Sequence, residues 1–146
     1  MVKEIERHKY PSNLLEGKTI VISGAGSGIG RQLAKSYAEF GADLILLSKN
    51  IENLESIYYE INQIGSNAVT IQPIDFKTAD EKSYLEIIEA IKKDYSQIDG
   101  LVNNAGILGE KKSLEQFSYS VWKHVLKVNL DATFLLTKHL IPLLKE

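Results

Sequence analysis

The sequence predicts an α/β domain built on a doubly wound parallel sheet of four strands. Short runs of apolar, often β-branched residues alternate along the chain with segments of helical periodicity. These runs are apolar throughout, which is typical of parallel strands whose two faces are both covered by helices. The first run leads directly into a cluster of glycines and then into a helix. Because such crossovers are right-handed, this order predicts a Rossmann-type domain, truncated after the fourth strand and its helix.

The first predicted unit is a strand, a glycine turn and a helix in immediate succession. The strand covers residues 19–22 and ends at Ser23, where the glycines begin. The helix follows from Ile29, and Gly41 supplies its left-handed stop. Four large side chains recur at helical spacing and are expected to face the core: Ile29, Leu33, Tyr37 and Phe40.

Two further strands, each with a helix, are predicted next. Residues 44–47 form the second strand, and Asn50 is expected to cap a helix that ends at Gly65. The third strand covers residues 68–71, and Asp75 follows at its carboxyl end. Thr78 and Glu81 have the spacing of a capping box before the third helix. The apolar positions expected to be buried on these two helices are Leu54, Ile57, Ile61, Ile64, Leu85, Ile88 and Ile91.

The last predicted unit is a strand that starts at Leu101, followed by a long amphipathic helix. The helix is expected to begin near Ser118 or Ser120, and Pro142 is expected to bend or end it. Its apolar stripe alternates steps of four and three residues through Val121, Val125, Val128, Ala132, Leu136 and Leu140.

The composition is that of one globular domain and excludes several classes of protein. The 146 residues include 17 basic and 19 acidic side chains and no cysteine. This balance gives no electrostatic footprint for nucleic acid or a membrane, and no histidine has metal-ligand spacing. A polar N-terminal extension is expected over residues 1–17, before the domain at 18–146. Residues 1–10 are too charged for a signal peptide, so a cytoplasmic location is expected.

The turn after the first strand is the strongest functional signal in the chain. It reads Gly24, Ala25, Gly26, Ser27, Gly28, Ile29 and Gly30. A P-loop is excluded because Ile29 and Gly30 stand where Gly and Lys are required, and Gly-x-Gly-x-x-Gly fails at Ile29. The spacing that fits is Gly-x-x-x-Gly-x-Gly through Gly24, Gly28 and Gly30. Such glycines let backbone N–H groups approach a pyrophosphate, so all seven residues are predicted to bind a dinucleotide. The alternative is a turn that merely needs positive φ angles.

Three more segments extend this pattern in the expected order. Asn103, Asn104, Ala105 and Gly106 follow the fourth strand, Asp75 follows the third, and Asn129 lies in the last helix. Together they resemble the short-chain dehydrogenase/reductase family. Residues 108–109, 121–122 and 132–134 are similar to its bacterial YciK-type branch. The resemblance implies an NAD(P)(H)-dependent oxidoreductase that transfers hydride between a nicotinamide and a small carbonyl or alcohol substrate. It also implies a homo-oligomer in the full-length protein.

The segment after the second strand favours NADP(H) over NAD(H). An NAD enzyme typically carries Asp or Glu there to bind the ribose 2′-hydroxyl, whereas this chain has Ser48 and Lys49, which suit a 2′-phosphate. A merely solvated lysine is the alternative. Ser27 weakens the case, because many NADP-dependent relatives carry a second basic residue at that position.

The resemblance implies roles for the remaining site residues. Asp75, with Phe76 after it, would lie beside the adenine, although Asp75 could be a simple turn residue. The segment of Asn104, Ala105 and Gly106 would reach the cofactor ribose, while Asn103 would tie neighbouring strands together. Asn129 would be catalytic by helping to hold an active-site water. A partly exposed helical asparagine is the alternative.

The family's catalytic serine, tyrosine and lysine are not found in this sequence. A single pair, Tyr119 and Lys123, has the Tyr-x-x-x-Lys spacing, and it lies one element too early. We therefore expect the 146-residue chain alone to be inactive. A non-catalytic dinucleotide-binding or interaction domain is the alternative function.

Overall fold

The computed structural model describes residues 10–65 and 67–144. Strands and helices alternate, as the sequence predicts. The strands are β1 (Thr19–Ser23), β2 (Asp43–Ser48), β3 (Val69–Pro73) and β4 (Gly100–Val102). The helices are α1 (Gly28–Glu39), α2 (Ile51–Asn62), α3 (Glu81–Asp94), α4 (Tyr119–Leu126) and α5 (Ala132–Leu140). A π-helical turn (Lys127–Asp131) joins α4 to α5, and short 3-10 helices cover Leu114–Gln116 and Ile141–Leu143.

The four strands form one parallel sheet in the order β3-β2-β1-β4. Val21 in β1 pairs with Ile45 in β2 on one side and with Leu101 in β4 on the other. The predicted doubly wound fold is therefore confirmed. Because the chain leaves β1 toward β2 and β3 and later returns to its other side as β4, the sheet has a switch point beside β1.

Helices cover both faces of this sheet, and alternate strand residues feed two apolar cores. Ile22 and Leu44 point into the core beneath α1 and α2. Val21 and Ile45 point into the opposite core, beneath α3 and α5. The central strands are consequently buried on both faces, which accounts for their uninterrupted apolar sequences.

The buried face of α1 differs from the predicted one. Ile29 is 74% exposed, and the fully buried positions are Gly30, Ala34 and Ala38. Small residues at every fourth position let the helix lie close to the sheet, while the larger Leu33 and Tyr37 pack at the margin of the core and Phe40 follows the end of the helix. The predicted left-handed stop is confirmed, since Gly41 has a φ of 93°.

The second and third helices correct the sequence predictions in detail. Asn50 caps α2 as predicted, accepting from the Asn53 N–H at 2.8 Å, but Ile64 lies beyond the helix and is 39% exposed. In α3 the cap is Asp80, which forms a capping box with Ser83 in place of the predicted pair of Thr78 and Glu81.

The buried positions of α3 are also shifted by one residue at the start of the helix. Leu85 is 43% exposed, and Tyr84 instead joins Ile88 and Ile91 in the core. Tyr84, Ile88 and Ile91 have the i, i+4, i+7 spacing of one helix face, and Leu85 lies off that face.

The last predicted helix begins at Tyr119 and is interrupted by the π-helical turn. Four predicted stripe residues are buried, Val128, Ala132, Leu136 and Leu140, whereas Val121 and Val125 are only partly covered. The helix ends at Leu140, and Pro142 lies in the following 3-10 turn, as predicted.

Residues 1–9 of the predicted N-terminal extension lie outside the described residues. Within its remaining part, the Leu15 N–H donates to the Phe40 carbonyl at 2.8 Å, so residues 10–17 pack against the end of α1. Next to it, Lys18 pairs with Asp99 at 2.8 Å. No helix within residues 10–65 and 67–144 is long and apolar enough to cross a membrane.

Candidate functional site

A cavity of about 350 Å³ opens at the carboxyl ends of the strands, beside the switch point of the sheet. Ligands bind open α/β sheets at this position because the loops after neighbouring strands diverge there and leave a crevice. Ten of the predicted site residues line it: Gly24, Ser27, Ile29, Ser48, Lys49, Asp75, Phe76, Asn104, Ala105 and Gly106. The sequence therefore predicted residues from four separate loops that the fold brings to one cavity.

Five predicted site residues do not line the cavity: Ala25, Gly26, Gly28, Gly30 and Asn129. Four other residues do line it and were not predicted: Ile74, Lys77, Ile107 and Val128. Lys77 and Ile107 each follow a predicted residue closely in sequence, so proximity in the same loop was the available signal. Val128 was predicted as a core position, and nothing in its sequence context indicated the cavity.

The glycines of the turn serve different physical purposes. A Cβ at Gly24, whose φ is 67°, would stand 2.9 Å from the Ala105 Cα, and a Cβ at Gly30 would meet the Asn104 Nδ2 at 2.5 Å. These two positions let the turn, the start of α1 and the loop after β4 pack together. Gly28 has a φ of 53° but open space around its missing side chain. A glycine is favoured there by the backbone conformation, and it leaves the start of α1 without a side chain at this position.

The start of α1 has the properties of an anion-binding helix terminus. Ser27 occupies the N-cap position in extended conformation, but its hydroxyl accepts no hydrogen bond from the first turn. The first turn also carries no acidic side chain. Backbone N–H groups at such a terminus, together with the helix dipole, favour a phosphate group. Ser27 and Ile29 both line the cavity at this point.

Ser23 and Asn104 join the glycine turn to the loop after β4. The buried Ser23 hydroxyl accepts from the N–H groups of Asn104 and Ala105, each at 3.0 Å. The Asn104 carboxamide donates to the carbonyls of Ser23 and Gly24 at 3.1 and 3.2 Å. The predicted role of Asn103 in tying the strands is wrong, because its side chain donates to Thr137 in α5 at 3.1 Å.

Two loops give the cavity its charged side chains. Lys49, in the loop after β2, is exposed and forms no ion pair among the described residues. Lys77, in the loop after β3, is also exposed and also forms no ion pair among those residues. The Asp75 carboxylate accepts from the Lys77 N–H at 2.9 Å through one oxygen, and its carbonyl accepts from the Ala79 N–H. Asp75 therefore does hold a turn, and its second carboxylate oxygen has no partner in the part of the chain that the structure describes.

Asn129 lies outside the cavity and supports its wall. Its side chain forms a pair of hydrogen bonds with Ile107, accepting from the backbone N–H at 2.8 Å and donating to the carbonyl at 2.9 Å. Asn129 is exposed and sits in the π-helical turn, which changes the direction of side chains relative to a regular helix. The exposure of Asn129 agrees with the alternative considered from the sequence, and its predicted role in holding an active-site water stays a prediction.

No tyrosine lines the cavity within the described residues. Tyr119 is 71% exposed, and the Lys123 Nζ lies 5.0 Å from the centre of its ring, so this pair forms a surface contact. Tyr84 stacks on the buried ring of Phe76 with centroids 6.0 Å apart. Burial and the nearby Asp131 charge raise the pKa of Tyr84 to about 12, which keeps its phenol protonated.

The fold and the cavity define the class: a doubly wound α/β protein with a ligand site at its switch point, lined by a glycine turn and two lysines. The family model for short chain dehydrogenases matches residues 18–146. The chain therefore belongs to the short-chain dehydrogenase/reductase family, and it is similar to the family's YciK-type members.

Among its relatives, the uncharacterized oxidoreductase YciK of Escherichia coli K12 is 36% identical over 138 residues, which cover 94% of this chain and 55% of that protein. The solved structure of a short chain dehydrogenase from Shigella flexneri 2a, complexed with NADP, is 34% identical with a TM-score of 0.88, over 91% of this chain and 56% of the other. The solved structure of a short chain dehydrogenase from Escherichia coli CFT073, complexed with NADPH, is 35% identical with a TM-score of 0.87, and the match covers 92% of this chain and 56% of the other. The chain thus spans about half the length of the relatives it matches.

Proposed function

We propose that this chain binds NADP(H) in the cavity and forms the dinucleotide-binding part of an oxidoreductase. When bound, the dinucleotide supplies or accepts a hydride, which the family exchanges with a carbonyl or alcohol substrate. The observation that carries the proposal is the convergence of the glycine turn, Lys49, Asp75 and Asn104 on one cavity at the switch point. The NADP and NADPH complexes of two close structural relatives add support.

The pyrophosphate would be bound by the glycine turn and the start of α1. The first turn of α1 has no side-chain cap from Ser27, and no atom lies within 4 Å of a Cβ built at Gly28, so the backbone N–H groups of this turn would be the phosphate donors. Ala25 and Gly26 contribute through the backbone of the turn, which the Ala25 N–H ties to the Leu47 carbonyl at 3.1 Å. Phosphate binding at such a terminus needs no charged side chain, because the helix dipole and backbone donors supply the attraction.

A preference for NADP(H) over NAD(H) would arise from the loops that follow β2 and β3. Ser48 and Lys49 offer a hydroxyl and an ammonium group, and residues 48–50 contain no carboxylate for a ribose 2′-hydroxyl. Lys77 lines the same cavity and supplies a positive charge that Ser27, at the family's usual second basic position, does not. Two cations that form no ion pair with any described residue favour the dianionic 2′-phosphate.

The remaining predicted residues would bind the adenosine and nicotinamide ends. One Asp75 carboxylate oxygen accepts no hydrogen bond from the described residues and would accept from the adenine amino group, and Phe76 lines the same cavity. Asn104, Ala105 and Gly106 line the opposite wall, where the cofactor ribose would lie. Asn129 would contribute to catalysis by fixing Ile107 at the edge of the site and by holding a water.

A non-catalytic dinucleotide-binding domain is the second candidate. It is favoured by the absence of a tyrosine and lysine pair from the cavity within residues 10–65 and 67–144. In either case we expect the 146-residue chain alone to give no turnover, since no tyrosine that could serve as the family's general acid lines the cavity among the described residues.

The partner expected besides the small-molecule substrate is a second copy of the full-length protein, and neither nucleic acid nor a membrane is expected as a partner. The last helical segment leaves Trp122, Leu130 and Phe134 between 47% and 62% exposed. A cluster of large apolar residues at the surface is typical of a subunit interface. The cytoplasmic location stays a prediction.

Calorimetric titration of the chain with NADPH and with NADH tests the proposal. We expect saturable binding of both dinucleotides, tighter for NADPH, and no NADPH oxidation with a panel of aldehydes and ketones. Binding without turnover is common to both candidate functions, and turnover by a longer protein that contains this chain would favour the oxidoreductase. Failure to bind either dinucleotide would refute both.

A further inference from the structure

Arg31, in the first turns of α1, connects the glycine turn to α2. Its guanidinium donates to the Gly26 carbonyl at 3.5 Å and, from the same nitrogen, to the Asn53 carbonyl at 3.4 Å. Its other terminal nitrogen donates to the Ser56 hydroxyl at 2.9 Å and to the Glu60 carboxylate. One side chain thus bridges the turn and three successive levels of the neighbouring helix.

The ion pair beneath this bridge keeps the arginine in place. The Glu60 carboxylate pairs with Arg31 and also with Lys35, which lies one helical turn later, at 3.2 Å from the Lys35 Nζ. Hydrogen bonds from Arg31 and then Lys35 lower the pKa of Glu60 below its ordinary value of 4.5, so its carboxylate is charged at neutral pH. Because a guanidinium presents its donors in a planar fork, it can bond to a carboxylate on one side and to carbonyls on the other.

The segments joined by Arg31 are already in close contact. A Cβ at Gly26 would lie 2.8 Å from the Ser48 hydroxyl oxygen and 3.1 Å from the Asn53 Cβ. The glycine turn therefore rests against both the end of β2 and the first turn of α2. Ser48 and Lys49 lie between those two points, in the loop that enters the cavity.

We infer that Arg31 is a positioning residue for dinucleotide preference, holding the glycine turn and the Ser48–Lys49 loop at a fixed separation. The inference rests on the proposed NADP(H) function. A pyrophosphate on the turn and a 2′-phosphate at Lys49 belong to one molecule, so both contacts form together only at the right separation. NADH has the pyrophosphate but lacks the 2′-phosphate, so its binding depends less on that separation. Loss of the arginine bridge should therefore weaken NADPH more than NADH, because charge interactions fall with distance.

The test compares Arg31→Gln with Lys35→Gln in the full chain. Both variants remove one positive charge from the same helix and one contact to Glu60, but within residues 10–65 and 67–144 Lys35 forms no hydrogen bond or ion pair with the turn. Dissociation constants for NADPH and NADH are measured by calorimetry, with the melting temperature of each variant alongside. We expect Arg31→Gln to lower the ratio of the NADH to the NADPH dissociation constant by about fivefold or more. Lys35→Gln should leave that ratio within about twofold of the unchanged chain.

The readout is a ratio, so a general loss of stability that weakened both dinucleotides alike would not move it. An unchanged ratio in Arg31→Gln, or an equal fall in both variants, would overturn the inference while leaving the proposed function intact. If Arg31→Gln does not fold, the double variant Ser56→Ala and Glu60→Gln removes two acceptors of the same bridge and must lower the ratio. Failure of the unchanged chain to bind either dinucleotide refutes the proposed function and the inference with it, and equal binding of both refutes the inference.

Discussion

Ser23 and Asn104 bind each other through both backbone and side chain across the ends of β1 and β4. The Ser23 hydroxyl accepts the Asn104 N–H at 3.0 Å, and the Asn104 carboxamide donates to the Ser23 carbonyl at 3.1 Å. Ser23 is 1% exposed, so water cannot replace these bonds readily. The glycine turn and the loop after β4 are consequently held together as one wall of the cavity.

Replacement of Ser23 by alanine should therefore destabilise the fold at this wall. It leaves the part-buried Ala105 N–H without its acceptor and leaves the Asn104 N–H with only the Val102 carbonyl, at a cost of about 1–3 kcal/mol in the free energy of unfolding. Urea denaturation measures this loss. Ser23→Thr keeps the hydroxyl and is the control, and equal stability of the alanine and threonine variants would contradict the role given to this oxygen.

Gly28 offers a test of the phosphate site that separates binding from backbone strain. Gly28→Asn should weaken both dinucleotides, because the new side chain covers the start of α1, while asparagine tolerates the positive φ. Gly17→Asn is a matched control, since Gly17 also has a positive φ, of 72°, with open space around it, and lies away from the cavity. Calorimetry should find weaker binding in the first variant alone.

Gly28→Val should show the same loss of binding together with a less stable fold. A β-branched residue at positive φ adds about 1–2 kcal/mol of strain. Unchanged dinucleotide affinity in a folded Gly28→Asn chain would mean that the turn is only structural.

The Glu60 carboxylate should make stability depend on acid pH. Its pKa is lowered in the folded chain by Arg31 and Lys35, so its stabilising effect is complete above pH 4.5 and is lost as the pH falls through the lowered value. Glu60→Gln should therefore lose less stability between pH of about 7 and about 3 than the unchanged chain does. Glu55→Gln, an exposed position on the same helix, is the control. The free energy of unfolding is measured by urea denaturation at each pH. The same pH dependence in all three chains would contradict a stabilising role for the Glu60 carboxylate.

Lys49→Asp tests the cofactor preference. It replaces a cation with the acidic residue type that binds a ribose 2′-hydroxyl, so NADPH should lose about 1.5–3 kcal/mol of binding free energy and NADH much less. Lys93→Asp makes the same charge change at an exposed position on α3, outside the cavity, and should leave both affinities nearly unchanged. Equal affinities before and after the change at Lys49 would refute the assignment of a 2′-phosphate to this loop.

The sheet could be predicted because its central strands are buried on both faces, and runs such as residues 44–47 are then uniformly apolar. The buried faces of the helices were harder to predict from the sequence. A periodicity of large side chains selected Ile29, whereas close packing on the sheet selects the smallest residues of α1, Gly30 and Ala34. The π-helical turn at Asn129 was also not predicted from the sequence, and the hydrogen bonds of Asn129 with Ile107 join it to a distant loop.

The site was predictable where residues directly follow strands, since the carboxyl ends of parallel strands meet at one edge of the sheet. Lys49, Asp75 and Asn104 illustrate this rule. The sequence assigned the tying of the strands to Asn103, whereas the Asn104 carboxamide makes that link and Asn103 contacts α5. Neighbouring residues in extended chain point to opposite sides, and the sequence did not show which of the two faced the glycine turn. The bridge made by Arg31 was missed because it joins elements that only the fold brings together.

The most direct test of the central claim is a map of backbone amide shifts by ¹⁵N NMR during a titration with NADPH. The account predicts that the largest changes cluster at the cavity, in the glycine turn and around Lys49, Asp75 and Asn104. Residues at the opposite edge of the sheet, such as Gly41 and Asn67, should remain unchanged. Saturable binding whose largest shifts lie at that opposite edge, or no shifts at millimolar NADPH, would contradict it.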